Sequence, residues 1–318
     1  MIELPVVRHA HIHVDGVEVF YRESVPSHPD APILLLLHGF PSASHQFRRL
    51  IDALGTDYRL IAPDYPGFGN TVTPDDFVYD FDRLADTIEG FVQQLGLSRF
   101  AMYIFDFGAP VGLRLALRHP EWITGLVIQN GNAYETGLSQ TARDFIALRP
   151  DREGAEDTIR RLFTLDGTRG QYRHGVTDPA PLAPDGWALD QHYLDLPGRD
   201  RAQLALAFDY HSNLAAYPDW QSWLRRYTPP ALIVWGANDP FFPAAGAHAY
   251  LADLPDAELH LFDTGHFALE THLREIAPLI ATFLDGVHAL EPPARGRTAR
   301  VPPSVTRTLL TPSDEAMP

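Results

Sequence analysis

The chain has 318 residues, with 41 acidic against 25 basic side chains and a formal net charge of −16. An acidic surface repels nucleic acid and anionic membrane, so neither is expected as a partner. The absence of cysteine excludes disulfides, thiolate metal sites and cysteine nucleophiles. Every basic residue is an arginine, which also excludes Schiff-base lysine chemistry and a lysine-dependent phosphate loop.

Residues 1–20 carry no basic stretch followed by a long apolar run, so a secretory leader is not expected. A cytoplasmic, soluble protein is. Residues 11–22 alternate around Asp15-Gly16, a hairpin signal. The run Ile33–Leu37 is apolar throughout, too short to span a bilayer and typical of a strand buried on both faces of a parallel sheet. A regular alternation follows: helix at 44–55, strand at 58–63, helix at 80–95, strand Phe100–Phe105, helix Gly108–Arg118, strand Ile123–Gln129. Strands alternating with helices predict an α/β fold, a mostly parallel, doubly wound sheet with its ligand site at the carboxyl ends of the strands.

Between residues 133 and 227 this rhythm is lost in a segment rich in Asp, Arg, Pro and aromatics, with helical patches at 155–165 and 200–209. Alternation resumes with a strand at 231–235, a helix at 244–254, strand Glu258–Phe262 and a helix at 267–284. The expected organisation is a core of 1–132 and 228–288, a helical cap at 133–227 inserted over the site, and a disordered tail at 289–318 poor in large apolar residues. No internal repeat is visible.

Four segments carry chemistry. After the strand Phe100–Phe105 comes Asp106-Phe107-Gly108-Ala109-Pro110, a strand–turn–helix with an acid at its apex and small residues behind it. This pattern is a nucleophile elbow, although Ile104 stands where a glycine is usual. Alone, Asp106 could equally cap the next helix. The strand at 231–235 runs into Gly236-Ala237-Asn238-Asp239, and the next strand into Asp263-Thr264-Gly265-His266. The order nucleophile, acid, histidine, with the last two on loops after successive late strands, matches a catalytic triad of Asp106, Asp239 and His266. The turn His38-Gly39-Phe40-Pro41, directly after the first buried strand, can aim the backbone N–H of Phe40 into the site. With that of Phe107 it would form an oxyanion hole.

These segments, together with Asp64-Tyr-Pro-Gly-Phe-Gly69, resemble the α/β-hydrolase superfamily, in the branch of epoxide hydrolases and haloalkane or haloacetate dehalogenases. The likeness covers residues 8–284. It implies an aspartate nucleophile, an alkyl-enzyme ester cleaved by water, a small apolar organic substrate and no cofactor. The chemistry agrees: a carboxylate can displace at an sp³ carbon, and an imidazole oriented by a second acid can then deprotonate the hydrolytic water.

Within that branch the leaving group decides. An epoxide oxygen needs an acid, which cap tyrosines supply in the similar epoxide hydrolases. Tyr210, in Phe208-Asp-Tyr-His-Ser-Asn213, has the matching spacing; its alternative is a packed cap residue. A second tyrosine is expected by analogy, with Tyr134, Tyr172 and Tyr193 all open. A halide needs N–H donors. The similar haloalkane dehalogenases carry them just after the nucleophile and after the first buried strand, where this chain has Phe107 and Phe40. Haloacetate dehalogenases place arginines after the nucleophile, where Phe107 and Pro110 stand; Arg114 is expected to point elsewhere. The resemblance therefore favours an epoxide hydrolase forming a diol. A dehalogenase is the alternative, and a non-catalytic binding protein of the same fold a further one.

His9, His11 and His13 share one strand face, and with no further ligands nearby an exposed strand face is expected rather than a metal site. Asp64 is expected to fix a turn. Asn130 and Asn132 stand where some relatives place the triad acid and cannot act as one, which favours Asp239. The aromatics Trp187, Tyr193, Phe208, Tyr210, Tyr217, Trp220, Trp223 and Tyr227 are divided between cap core and pocket wall. A homodimer is left open.

Overall fold

The computed structural model describes residues 4–290 and 308–309. The first hairpin is longer than its turn signal suggested: β1 (Val6–Val14) pairs antiparallel with β2 (Val17–Val25). Asp15 and Gly16, with φ of 46° and 87°, form the turn that matches strand twist. β3 (Ile33–Leu37), β4 (Arg59–Pro63), β5 (Phe100–Phe105), β6 (Ile123–Gln129), β7 (Ala231–Gly236) and β8 (Glu258–Phe262) follow. The strand order is β8-β7-β6-β5-β3-β4-β2-β1, with the short pair β9 (Thr308–Leu309) against β1. The pairings from β4 through β3, β5, β6 and β7 to β8 are parallel, and only the β2–β4 and β1 edges are antiparallel.

Parallel strands need crossovers, and helices supply them on both faces. α1 (Arg48–Leu54), α2 (Phe81–Gln94) and α3 (Gly108–Arg118) lie among the early strands. The expected helix at 44–55 begins as a 3₁₀ turn, Ser44–Phe47, before α1. Burial explains the unbroken apolar runs: all of β5 and β7 and Leu34 to Leu37 of β3 are inaccessible or nearly so. One core packs around Phe81, Phe91, Met102 and Ile104, the other around Phe47, Tyr103, Phe105 and Ile280.

Six helices separate β6 from β7: α4 (Gln140–Ile146), α5 (Ala155–Arg160), α6 (Leu165–Arg173), α7 (Asp185–Leu194), α8 (Arg199–Asp209) and α9 (His211–Tyr227). Only α5 and α8 coincide with the helical patches read from the sequence. α9 runs through Pro218, a residue that ordinarily breaks a helix interior. Tertiary burial of Tyr217, Trp220, Trp223 and Leu224 holds it. The insert docks on the core by named polar contacts. Arg199 donates to the carbonyls of Gly69 and Thr71 at 2.9 Å each. Asp209 accepts from the Phe81 N–H at 2.9 Å. Arg114 points away from the site, as expected: its guanidinium bonds Asp82 and, at 2.7 Å, Asn213 of α9.

After β7 come α10 (Ala245–Asp253), β8 and α11 (Ala268–Ala289), the last with non-helical backbone at His272. The expected tail at 289–318 lies outside the described residues apart from Ala289, Leu290 and β9. Among the described residues no helix is long and apolar enough to cross a membrane.

Candidate active site

β5, β7 and β8 all end on one side of the sheet, and the loops that leave them carry the three triad candidates. Asp106 follows β5 at φ 49°, a left-handed conformation that costs energy for a residue with a Cβ and is kept where the surroundings over-determine it. The surroundings do so through Gly108. A Cβ there would lie 2.2 Å from the Leu37 carbonyl oxygen, so only glycine lets α3 turn this sharply against β3. The N-cap of α3 is Phe107, with no side-chain cap bond; the Asp106 carboxylate is not spent on capping.

Asp106 instead meets the predicted partners. The Phe40 N–H donates to its Oδ1 at 2.7 Å, and the Phe107 backbone N–H also bonds the carboxylate. His266 Nε2 stands 3.7 Å from its Oδ2. His266 Nδ1 lies 2.6 Å from Asp239 Oδ2. A carboxylate only accepts, so this contact makes Nδ1 the protonated nitrogen and leaves Nε2 facing Asp106. Asp239 Oδ1 takes the N–H groups of Phe241 and Phe242 at 2.8 and 3.2 Å.

Two residues after or at the end of β6 support this arrangement. Asn130, at φ 40°, donates to Asp239 Oδ2 at 2.8 Å and bridges the N–H and carbonyl of Gly236. Gln129 donates to the His266 carbonyl at 3.0 Å. The sequence marked Asn130 only as unable to be the acid; its asparagine-for-acid position directly after β6 was the available signal. His38 is structural. Burial pushes its imidazole down to about 4, and neutral Nε2 accepts the Tyr65 N–H at 3.2 Å. Asp64 does fix a turn, its two oxygens accepting the N–H groups of Ser44 and Asn70.

The electrostatics follow from enclosure. Asp106, Asp239 and His266 are 7, 4 and 3% exposed. Burial raises Asp106 to about 6, against the downward pull of His266 and the Phe107 and Phe40 N–H groups. Burial alone would lower His266, but Asp239, by charge and hydrogen bond, and then Asp106 hold it above its ordinary value.

A cavity of about 60 Å³ lies between core and insert. Asp106 and His266 form its floor; Phe40, Phe107, Phe145, Phe163, Phe241 and Phe242 give it apolar walls. From the insert, Tyr210, Gln171 and Gln203 are its polar contributors. The Tyr210 hydroxyl is hydrogen-bonded to that of Tyr217, which accepts from Asn132 Nδ2 at 3.0 Å. Burial first, and then Tyr217 and Asp106, push Tyr210 well above the usual phenol range. The three tyrosines left open as its companion lie elsewhere. Tyr134 bonds Asp253, Tyr172 bonds Asp190 and Tyr193 bonds Asn70. Tyr217, absent from that set, is the one beside Tyr210. Among the described residues no cluster of three or more histidine and carboxylate groups could hold a metal. His9 and His11 lie against Phe20 on β2.

The model of the α/β hydrolase fold matches residues 32–273, most of the chain. The chain belongs to the α/β-hydrolase fold family. This hydrolase is 43% identical to an uncharacterized hydrolase of Saccharomyces cerevisiae, YNR064C, over 83% of its own length and 92% of the relative's. It is 30% identical to haloalkane dehalogenase 2 of Mycobacterium tuberculosis, covering 78% of this chain and 86% of that one. The structure of haloalkane dehalogenase DbeA from Bradyrhizobium elkani superposes with a TM-score of 0.73 at 21% identity, over 90% of this hydrolase and all of that chain. The fold, the hydrolytic class and the dehalogenase and epoxide hydrolase branch are those that the motifs implied.

Proposed function

We propose that this hydrolase opens epoxides to diols through an ester on Asp106. Asp106 attacks a ring carbon; the C–O bond breaks, and the oxygen that leaves takes the Tyr210 proton. His266, oriented by Asp239, then removes a proton from water, and hydroxide adds to the ester carbonyl. The Phe40 and Phe107 N–H groups stabilise the oxyanion that forms there. Collapse returns the Asp106 carboxylate and frees the diol, and the proton on His266 restores the Tyr210 hydroxyl.

The observation that carries this reading is Tyr210. Among the described residues it is the only phenol lining the cavity that holds Asp106, its raised value keeps it protonated at neutral pH, and Tyr217 backed by Asn132 orients it. Phe40 and Phe107 bring no side-chain N–H for a halide. The tight, mostly apolar cavity suits a substrate of modest size.

The second reading, haloalkane dehalogenation, is favoured by the 30% identity to haloalkane dehalogenase 2. Turnover of matched epoxide and haloalkane panels by the native protein and by Tyr210→Phe separates the two. The epoxide reading expects diol formation that falls about 10²-fold or more in the variant. Halide release without diol formation, insensitive to Tyr210→Phe, contradicts it.

A further inference from the structure

Two carboxamides stand in the wall of the Asp106 cavity with hydrogen-bonding capacity that the fold does not use. Gln203 is 2% exposed. Its Nε2 donates to the Gly67 carbonyl at 2.8 Å, and because a carbonyl can only accept, this bond fixes which end of the amide is which. Oε1 is thereby the free end, and it is buried with no partner. Gln203, Ala207 and Tyr210 all line the cavity, at the i, i+4, i+7 spacing of one helical face. Gln171, 7% exposed on α6, lines the same cavity, and its carboxamide makes no hydrogen bond among the described residues.

A buried acceptor without a donor is costly and is rarely left so. Asn132, Asn130 and Gln129, equally buried, are all partnered. Other buried groups of the described residues, Gln46, Tyr65 and Asn213 among them, also lack a partner, but Gln203 is the one that lines the Asp106 cavity.

We propose that Gln203, with Gln171, is a specificity site for a neutral hydroxyl on the substrate, remote from the carbon that Asp106 attacks. A hydroxyl donates to the Gln203 oxygen and still accepts from an amide N–H such as that of Gln171. A carboxylate is disfavoured, because Gln203 presents an oxygen, Asp106 is an acid, and none of the described residues lining the cavity is an arginine. The inference rests on the reading above only in taking this cavity as the substrate site.

The test measures binding apart from turnover. Alkanols of four to six carbons and their methyl ethers are titrated into the Asp106→Asn protein by ligand-observed NMR, and the paired hydroxy- and methoxy-epoxides are then tested for turnover by the native enzyme. Expected is tighter binding of the alcohol by about tenfold. The difference should vanish in Asp106→Asn/Gln203→Met and shrink with Gln171→Met, the fallback if the first variant does not fold. Equal affinity of alcohol and ether, or a preference that survives both substitutions, overturns the proposal. An alcohol preference without epoxide turnover leaves it standing and removes the epoxide reading instead.

Discussion

Asn130 Nδ2 donates to Asp239 Oδ2 at 2.8 Å, on the same oxygen that faces His266 Nδ1 at 2.6 Å. Three N–H groups hold Asp239, those of Phe241 and Phe242 on its own loop and that of the Asn130 side chain just after β6, and it in turn orients the imidazole. Removal of a partner that orients an acid–histidine pair lowers activity without touching substrate. Asn130→Gly, which tolerates the positive φ at this position, is expected to reduce kcat about 10-fold or more with little change in KM. Steady-state kinetics check this, and a loss confined to KM would assign Asn130 to binding instead.

Gly39 predicts a second effect. A Cβ at this position would lie 2.3 Å from the Asp106 Cβ, closer than such atoms ever come. Gly39→Ala must push the acid away from the Phe40 N–H and His266. A displacement of about 1 Å costs on the order of 10²-fold in rate. The expected outcome is loss of activity of that size in a protein whose circular dichroism spectrum is native; full activity would mean that the turn is looser than its geometry.

The two titrations place the two chemical steps in different pH windows. Asp106 attacks only when ionised, so ester formation rises as pH passes about 6. His266 activates water only when neutral, and its raised value places that gain at higher pH. In the ester Asp106 has lost its charge, so Asp239 alone supplies the upward pull. Ester should accumulate near about pH 6 and drain as pH rises further and His266 becomes neutral. Rapid-quench mass spectrometry measures this; accumulation that grows with pH would reverse the assignment of the base.

Stability should carry the same signature. Asp106 binds its proton more tightly in the folded chain, rising from 3.8 to about 6. The folded state is therefore penalised as pH climbs through this window, in full above it and not at all below it. Asp106→Asn is expected to stabilise the protein by up to about 3 kcal/mol near neutral pH and by little near about pH 4. Denaturant melts at both values check it; a gain independent of pH would point to relief of backbone strain instead.

What the sequence made legible follows from how locally each feature is determined. Leu34 to Leu37, β5 and β7 read as buried strands because burial on both faces leaves an unbroken apolar run. The residues after them were readable because short loops tie Asp106, Asp239 and His266 to strand ends. The insert was opaque for the converse reason. α9 forms through Pro218 because its aromatics pack against the core, and no local signal encodes that. Tyr210 was singled out by spacing, whereas Tyr217 lies two helical turns further along α9 and meets it only once the segment between β6 and β7 is folded. Asn130, Gln171 and Gln203 gain their significance from partners, or from missing ones, far along the chain.

The most direct measurement is a single turnover in ¹⁸O-water with enzyme in excess, followed by mass spectrometry of the peptide that contains residue 106. Hydrolysis at the ester carbonyl predicts one ¹⁸O atom in the Asp106 carboxylate and an unlabelled first-turnover diol. Label in the product with none in the peptide would mean direct attack by water, and would contradict the covalent route.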